Sequence, residues 1–365
     1  MSDESPAPQL KHWFDEARYR SIANATFSLD AKFDKKRFLR FTLEGLDERS
    51  LMQRMQQTAI AMQESLPGSY RSKLKTLRAL APMLEHGFIS IFLCDFVAKY
   101  GLEDFDHSLD ALKFFTCFGS AEFAIRHFLV KDFNKARSAM LVWAEDDNEH
   151  VRRLASEGIR PRLPWGLRLQ NLVENPDPIA AILEKLKADP ALYVRKSVAN
   201  NLNDITKDHA QWVIQRVSGW DREHAGTAWI VRHGCRTLIK QGHNDALKLF
   251  GFGAAPKLEA AITCTPTKLR LGQVLTIQAI LRSTTRSTQS FAIDYVMHYA
   301  RAGGATWQKV FKWTETELAP GAAITLQKRQ TMKDFTTRKH HPGGHRIELQ
   351  VNGKRVAETA FELLK

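Results

Sequence analysis

Two stretches of the 365-residue sequence gather side chains able to do chemistry, and a third gathers imidazoles that could bind a metal. In YVRKSVANNLNDI, from Tyr193, the residues Lys196, Asn200 and Asp204 fall at i, i+4 and i+8, one face of a helix. Forty-three residues earlier, in HVRRLASEG, Arg153 and Glu157 occupy the same register, followed by Pro161. Stacked helices of this kind present adjacent rows of cations and of carboxylates or amides. The other reading is a solvated helix face on which Arg153 and Glu157 form an ordinary i,i+4 pair. In EGIRPRLPWGLRLQ, Pro161 and Pro164 bar a regular helix and set Trp165 on a rigid turn amid Arg160, Arg162 and Arg168. A Trp so placed is either a buried plug or an exposed stacking surface. The third stretch, TTRKHHPGGHR (336–346), holds Arg338, Lys339, His340, His341 and His345. No carboxylate or Cys stands close enough to complete a metal-ligand set, so a flexible basic loop is expected there rather than a metal site.

The elements that must carry these residues change character along the chain. Up to about residue 250 the apolar positions recur at helical spacing, as in FDKKRFLRFTLEGL, DERSLMQRMQQTAIAMQESL and YRSKLKTLRALAPML. Asp47 is the expected N-cap of the second, and Pro67-Gly68 its end. Beyond residue 256 seven short segments are β-branched and often alternating. The last two, HRIELQV and KRVAETAFELL, flank Asn352-Gly353, a hairpin signal. The expected architecture is an all-α solenoid over residues 1–250, a GFGAAP linker at 251–256 and an all-β immunoglobulin-like sandwich over 257–365.

The helical half repeats. Val151, Val194 and Val231 head equivalent segments spaced 43 and 37 residues apart, each followed by an arginine (Arg152, Arg195, Arg232). Each segment follows another amphipathic helix, and a helix pair at this period is a HEAT-type repeat stacked into a solenoid. The column arginines suit phosphate contacts or pairing with a neighbouring repeat.

Hydrophobic content of 44% and charged content of 25% exclude a mostly disordered chain, a collagen-like chain and a coiled-coil rod. No apolar run is long enough to span a bilayer. The sequence MSDESPAPQLKHW lacks the basic and apolar regions of a secretory signal. The four cysteines are widely spaced, without a CxxC pair, so a disulfide framework is not expected and a cytoplasmic location is. Residues 256–365 carry 17 Lys and Arg against 8 Asp and Glu, a net of +9. The remainder carries only +4 of the overall +13. Such an asymmetry suggests a polyanion partner, nucleic acid first, although a basic surface with no such partner has the same composition.

NEHVRRLASEGIRPRLPWG and DPIAAILEKLKADPALYVRKSVANNLNDI, with FGSAEFAIRHFLVKD upstream and WIVRHGCRTLIKQGH downstream, resemble the AlkC-type DNA alkylation repair glycosylases of the AlkC/AlkD HEAT-like repeat superfamily. The resemblance covers most of residues 1–250. The C-terminal segment is similar, by strand pattern, to the immunoglobulin-like extension of one AlkC branch. The resemblance implies a monofunctional DNA glycosylase that excises cationic N3-alkylated bases, 3-methyladenine and 3-methylcytosine, from duplex DNA in base excision repair. It implies a catalytic cleft containing Glu157, Trp165, Asp204 and Glu122. A fixed carboxylate can stabilise an oxocarbenium-like sugar and orient water, and an aromatic face adds cation–π attraction. Glu122, two residues after Ser120, equally suits a helix start, and Asp204 a cap of the following turn. Arg152, Arg153, Arg160, Arg162, Lys196 and Arg232 are expected at phosphates, with Arg338, Lys339, His340 and His341 adding a second DNA contact. No metal, other cofactor or membrane partner is expected, and the protein is expected to be a monomer. A non-catalytic HEAT-repeat protein that binds DNA structures is the alternative, and a protein-binding scaffold a third reading.

Overall fold

A computed structural model describes residues 10–84, 87–253, 255–301, 304–334 and 339–364. Among the described residues every α-helix lies before residue 250 and every strand after it. The chain divides into two compact units, one of residues 1–209 and 221–231, the other of 210–220 and 232–365.

The first unit is helical throughout. Its helices form where the sequence supplies an apolar stripe and a cap. The helix Leu51–Ser65 starts at Ser50, whose hydroxyl and the Gln53 side chain satisfy each other's backbone amides in a capping box. The expected N-cap, Asp47, lies instead in the preceding turn, because only Ser50 has a glutamine three residues on. The repeat is evident as helix pairs: Phe133–Trp143 with Glu149–Glu157, then Ala180–Leu186 with Leu192–Ile205. The column residues Val151, Val194 and Val231 are all buried. Successive second helices are also joined through their interior by polar contacts. Ser156 Oγ meets Ser197 Oγ at 2.6 Å, and Asn201 Nδ2 donates to the Ser156 carbonyl at 2.9 Å. These bonds pin the rotation of one helix against the next, so the faces that carry Glu157 and Asp204 hold a fixed register.

The second unit contains the helices Ala210–Ser218, Arg236–Gln241 and Asn244–Leu249 and the sandwich. Its strands are β1 (Leu258–Thr265), β2 (Lys268–Leu269), β3 (Val274–Ser283), β4 (Gln289–Ala300), β5 (Thr306–Leu318), β6 (Ala323–Thr331), β7 (Gly343–Val351) and β8 (Lys354–Leu363). They form a three-stranded sheet, β1-β3-β6, facing a five-stranded one, β2-β8-β7-β4-β5. Seven strands match the expected segments; β2 is two residues long and pairs in parallel with β8. Leu275, Ile277 and Leu281 of β3 meet Phe291, Ile293 and Met297 of β4 in a closed core, each such burial contributing about 1.5–3 kcal/mol. Asn352 and Gly353 both have positive φ, as the two-residue turn between β7 and β8 requires.

That hairpin turn is anchored on the helices of its own unit. Gln350 Nε2 donates to the Lys240 carbonyl at 2.8 Å, and Asn352 Nδ2 to the Gly253 carbonyl at 3.1 Å. Gly353 passes so close to Gly242 that a Cβ on Gly353 would overlap the Gly242 Cα. Arg232 pairs with Glu315 of β5 and lies over the rings of Phe250 and Phe252.

Candidate active site

The first unit holds an open cleft of about 680 Å³. Phe88, Ile91, Phe118 and Phe123 form an apolar wall, and Glu122, Arg153, Glu157 and Arg160 a charged one. Pro164 and Trp165 stand at its rim and Tyr193 at its side.

Each charged residue is placed by local sequence. The helix Glu149–Glu157 starts at Asn148, whose side chain accepts from the His150 amide at 2.9 Å. Arg153 and Glu157, one turn apart, therefore share a face. Gly158 follows, where a Cβ would lie 2.5 Å from Ile125 Cγ2, so glycine lets the helix end pack this close to Ile125. Pro161 and Pro164 then keep residues 160–169 irregular.

The charges alternate along a continuous chain. Glu122 Oε2 accepts from Ser120 and from Arg153 Nη1. Arg153 Nη2 lies 3.5 Å from Glu157 Oε1, which also accepts from Arg160 Nη1 at 2.6 Å. Arg160 Nε donates to Asp204 Oδ2 at 2.8 Å, and Lys207 Nζ lies 3.2 Å from Asp204 Oδ1. Removing ions from water costs on the order of several kcal/mol each, so a buried cluster persists only if each charge faces its opposite. Burial works against the charge on Arg153, but Glu122 and Glu157 outweigh it and hold its pKa above the ordinary value. Burial likewise opposes the charge on Arg160, and Glu157 and Asp204 together raise its pKa. The Arg153 guanidinium also lies over the Tyr193 ring, 5.0 Å from its centroid.

The carboxylates differ in what they have left to offer. Both guanidinium contacts of Glu157 fall on Oε1, leaving Oε2 without a partner among the described residues. Both contacts of Glu122 fall on Oε2, leaving Oε1. Asp204 has both oxygens engaged and does not line the cleft. Glu122 lies in the turn that opens the helix Ile125–Lys131, as the helix-start reading allowed, and makes no side-chain cap there; Asp204 lies inside the helix Leu192–Ile205 with its carboxylate on Arg160 and Lys207 rather than capping the next turn.

Trp165 is 76% exposed, so it is not a packing plug. Its φ is 64°, the left-handed region that a bulky residue adopts only under constraint.

The other residues expected at DNA are distributed unevenly. Arg152 is held by the buried carboxylate of Asp189 at 2.7 and 3.1 Å and by the Asp146 and Asp147 carbonyls. Arg195 donates to the Asp189 and Pro190 carbonyls, and Arg232 is paired with Glu315. Of the column arginines, Arg152 thus pairs with the neighbouring repeat, Arg195 with the loop before its own helix, and Arg232 with the sandwich. Arg162 is paired with Asp208, while Lys196 and Lys339 are exposed. His340 is buried under the Tyr299 ring, and its backbone amide donates to Asp334 at 2.7 Å, which makes it an anchor of its loop rather than a surface contact. His341 is half-buried, and Arg338 lies outside the described residues. Among the described residues no group of three His, Cys, Asp or Glu could hold a metal ion, and no helix is long and apolar enough to cross a membrane.

Sequence reasoning missed Tyr193 and Arg126. Arg126 is fully buried, and its guanidinium reaches three backbone carbonyls of the segment 158–167. The signal was weak, since Glu122 stands four residues before Arg126 and an ordinary i,i+4 pair reads the same way in the sequence.

The chain's likeness to known proteins follows both halves. Residues 95–238 match the family described as DNA alkylation repair enzyme, and residues 259–365 match the C-terminal Ig-like domain described for the uncharacterised protein YhaZ. The uncharacterised protein YhaZ of Bacillus subtilis (strain 168) is 40% identical over 347 residues, covering 94% of this chain and 96% of that protein. The structure of the Pseudomonas fluorescens alkylpurine DNA glycosylase AlkC, bound to DNA containing an abasic site analogue, is 46% identical. It superposes with a TM-score of 0.94 over 98% of this chain and 100% of that one.

Proposed function

Since this chain belongs to the AlkC-type DNA alkylation repair glycosylases, in the branch with a C-terminal immunoglobulin-like domain, we propose that it hydrolyses the glycosidic bond of cationic N3-alkylated bases in duplex DNA. It is a DNA glycosylase of alkylation repair. The finer reading rests on one observation: two carboxylates, each with one oxygen uncommitted, face a cleft whose rim is an exposed tryptophan.

Alkylation at N3 makes the base a cationic leaving group, so little leaving-group protonation is needed. Bond breaking moves positive charge onto the sugar. Glu157, held still by Arg153 and Arg160, offers Oε2 to that charge or to a water attacking C1′. Glu122 stands ready on the same wall. Asp204 contributes through Arg160, fixing the guanidinium that fixes Glu157. Trp165 lays its π face beside the sugar. Neutral purines do not respond, because their leaving group departs poorly without protonation. The same residues act on 3-methyladenine and 3-methylcytosine, because the charge on the base and not its outline carries the reaction.

Release of 3-methyladenine from methylated duplex, with and without EDTA, tests the proposal. Release at the same rate in both supports it. Binding of the duplex without release returns the chain to a DNA-structure-binding role.

Two substitutions extend the test. Trp165→Ala lowers the single-turnover rate about tenfold, the loss of a cation–π contribution of about 0.5–2 kcal/mol. Its melting temperature stays near that of the parent, since the ring is mostly in solvent; an unchanged rate removes Trp165 from the mechanism. In the sandwich, neutralising Arg338 and Lys339 weakens damaged and undamaged duplexes alike. It also flattens the plot of log K against log salt by about 0.9 for each phosphate no longer neutralised. An unaltered slope means that this loop does not meet DNA.

A further inference from the structure

We propose that Arg126 is the positioning residue of the active site: it locks the segment 158–167 and thereby holds Trp165 upright and Glu157 aimed, without itself touching DNA. The proposal rests on the glycosylase reading above and adds a residue that no part of that chemistry requires.

The geometry is specific. Arg126 sits in the helix Ile125–Lys131, fully buried. Its Nη1 donates to the carbonyls of Gly158 and Arg160, both at 2.8 Å, and its Nε to the carbonyl of Leu167 at 2.5 Å. Gly158 directly follows Glu157, Arg160 is the next cation of the charge chain, and Leu167 lies two residues beyond Trp165. One guanidinium therefore clamps both ends of the irregular segment. Beyond the Arg160 amide, which donates to the Glu157 carbonyl at 3.3 Å, the segment's own backbone bonds among the described residues are two, from the Gly166 amide to the Leu163 carbonyl at 3.1 Å and from the Leu169 amide to the Pro161 carbonyl at 3.2 Å. The first of the two closes a turn with Pro164 and Trp165 at its centre, which accommodates the positive φ of Trp165, and the Arg126 guanidinium ties that turn to the end of the helix that carries Glu157. The stem of Arg126 supplies packing as well, since a Cβ on Gly166 would lie 3.3 Å from its Cδ and 3.0 Å from Leu163 Cδ2.

The choice of arginine follows from these partners. The carbonyls approach from different directions, which a planar fork of donors can meet and a lysine ammonium cannot. No carboxylate bonds to Arg126, and burial, followed by the nearby charge of Arg160, lowers its pKa to about 10. Its bonds run from Nε and Nη1 to backbone carbonyls, while Nη2 is buried without a hydrogen-bond partner among the described residues, so the guanidinium is oriented toward the loop and not toward an ion-pair partner.

Arg126→Lys tests the assignment, with Gly166→Ala as a second variant that disturbs the same clamp from the loop side while leaving the arginine in place. Single-turnover excision, equilibrium binding to an undamaged duplex and acrylamide quenching of tryptophan emission are measured for each. The Trp165 component is isolated by subtracting the emission of Trp165→Phe in the same background. Displacement of a reacting group by about 1 Å costs up to about 100-fold in rate. Arg126→Lys is therefore expected to lose about 10- to 100-fold in rate with duplex affinity within about twofold, and to change the quenching of Trp165. In a Trp165→Ala background the same change is expected to cost at most about tenfold further, less than its loss in the parent, because the part that acts through Trp165 is already gone and only the part that acts through Glu157 remains. Full multiplicative losses in both backgrounds, or a lost rate with unaltered Trp165 quenching, overturn the proposal. If Arg126→Lys does not fold, Gly166→Ala decides by the same two criteria. If the parent chain releases no base at all, the glycosylase reading fails, and the quenching measurement still settles whether Arg126 positions Trp165.

Discussion

Replacing Glu157 by glutamine lowers single-turnover release of 3-methyladenine by about 100- to 1,000-fold, the range lost when one preorganised electrostatic stabiliser is removed from an active site. Affinity for duplex DNA holds or rises in the same variant. The two effects separate because the carboxylate repels phosphate in the ground state and favours a sugar cation in the transition state. Glu157 is the central anion of the charge chain, between Arg153 and Arg160. Its loss as a charge leaves two buried guanidiniums with one fewer counterion, which itself favours a polyanion. Glutamine is the informative replacement. Alanine removes the acceptor as well as the charge, and breaking a buried pair in that way costs about 3–5 kcal/mol of stability. Glutamine keeps an amide oxygen for Arg160. Thermal unfolding measured beside the excision rate separates lost chemistry from lost fold. A folded Glu157→Gln protein that excises within about threefold of the parent removes this carboxylate from the transition state.

A chain ended at residue 256 binds duplex DNA about 100-fold more weakly, the scale on which a second tethered contact raises affinity. It also loses helical structure over residues 232–250. The first effect follows from the net +9 carried by residues 256–365. The second follows from the anchoring of the hairpin turn. The Lys240 and Gly253 carbonyls each accept from a β7 or turn side chain, Phe252 bridges to Ser290 of β4, and the Arg232 partner is Glu315 of β5. Deleting the sandwich leaves those groups unmet and opens apolar surface on the helices Arg236–Gln241 and Asn244–Leu249. Far-ultraviolet dichroism and amide exchange report the helices, and fluorescence anisotropy the affinity. A truncated chain with fully protected amides over 232–250 and unaltered affinity shows that the sandwich neither supports those helices nor meets DNA. Because truncation changes two properties at once, the paired neutralisation of Arg338 and Lys339 is the cleaner measure of the DNA contact alone.

The fold was legible where one local signal dominates. Asn352-Gly353 between alternating segments can hardly form anything but a tight hairpin, and the 43- and 37-residue spacing of Val151, Val194 and Val231 fixes which helices stack. Strand β2 was not legible, since two residues carry no period and its pairing with β8 is a tertiary event. Within the site, spacing was enough to put Arg153 and Glu157 on one face. It could not say that Glu122, thirty-five residues upstream of Glu157, closes the same charge chain. Nor could it rank the carboxylates, because which oxygen a guanidinium occupies is a property of packing. The partners of Arg152 and Arg232 were illegible for a related reason. An arginine in a sequence shows its charge, but not the Asp189 or Glu315 that meets it.

The approach of Gly353 to Gly242 bears on how sequences of this architecture diverge. Both residues have positive φ, and a methyl group on either would overlap the backbone of the other within 2.7 Å. The two positions are 111 residues apart, yet neither can drift independently while the hairpin turn keeps its seat. Selection therefore acts on them as a single two-letter character. A relative that retains the sandwich in this arrangement keeps glycine at both. A relative that has lost one of them has lost the seat, whatever its overall identity to this chain, and the pair alone is enough to sort the two kinds by inspection of their sequences.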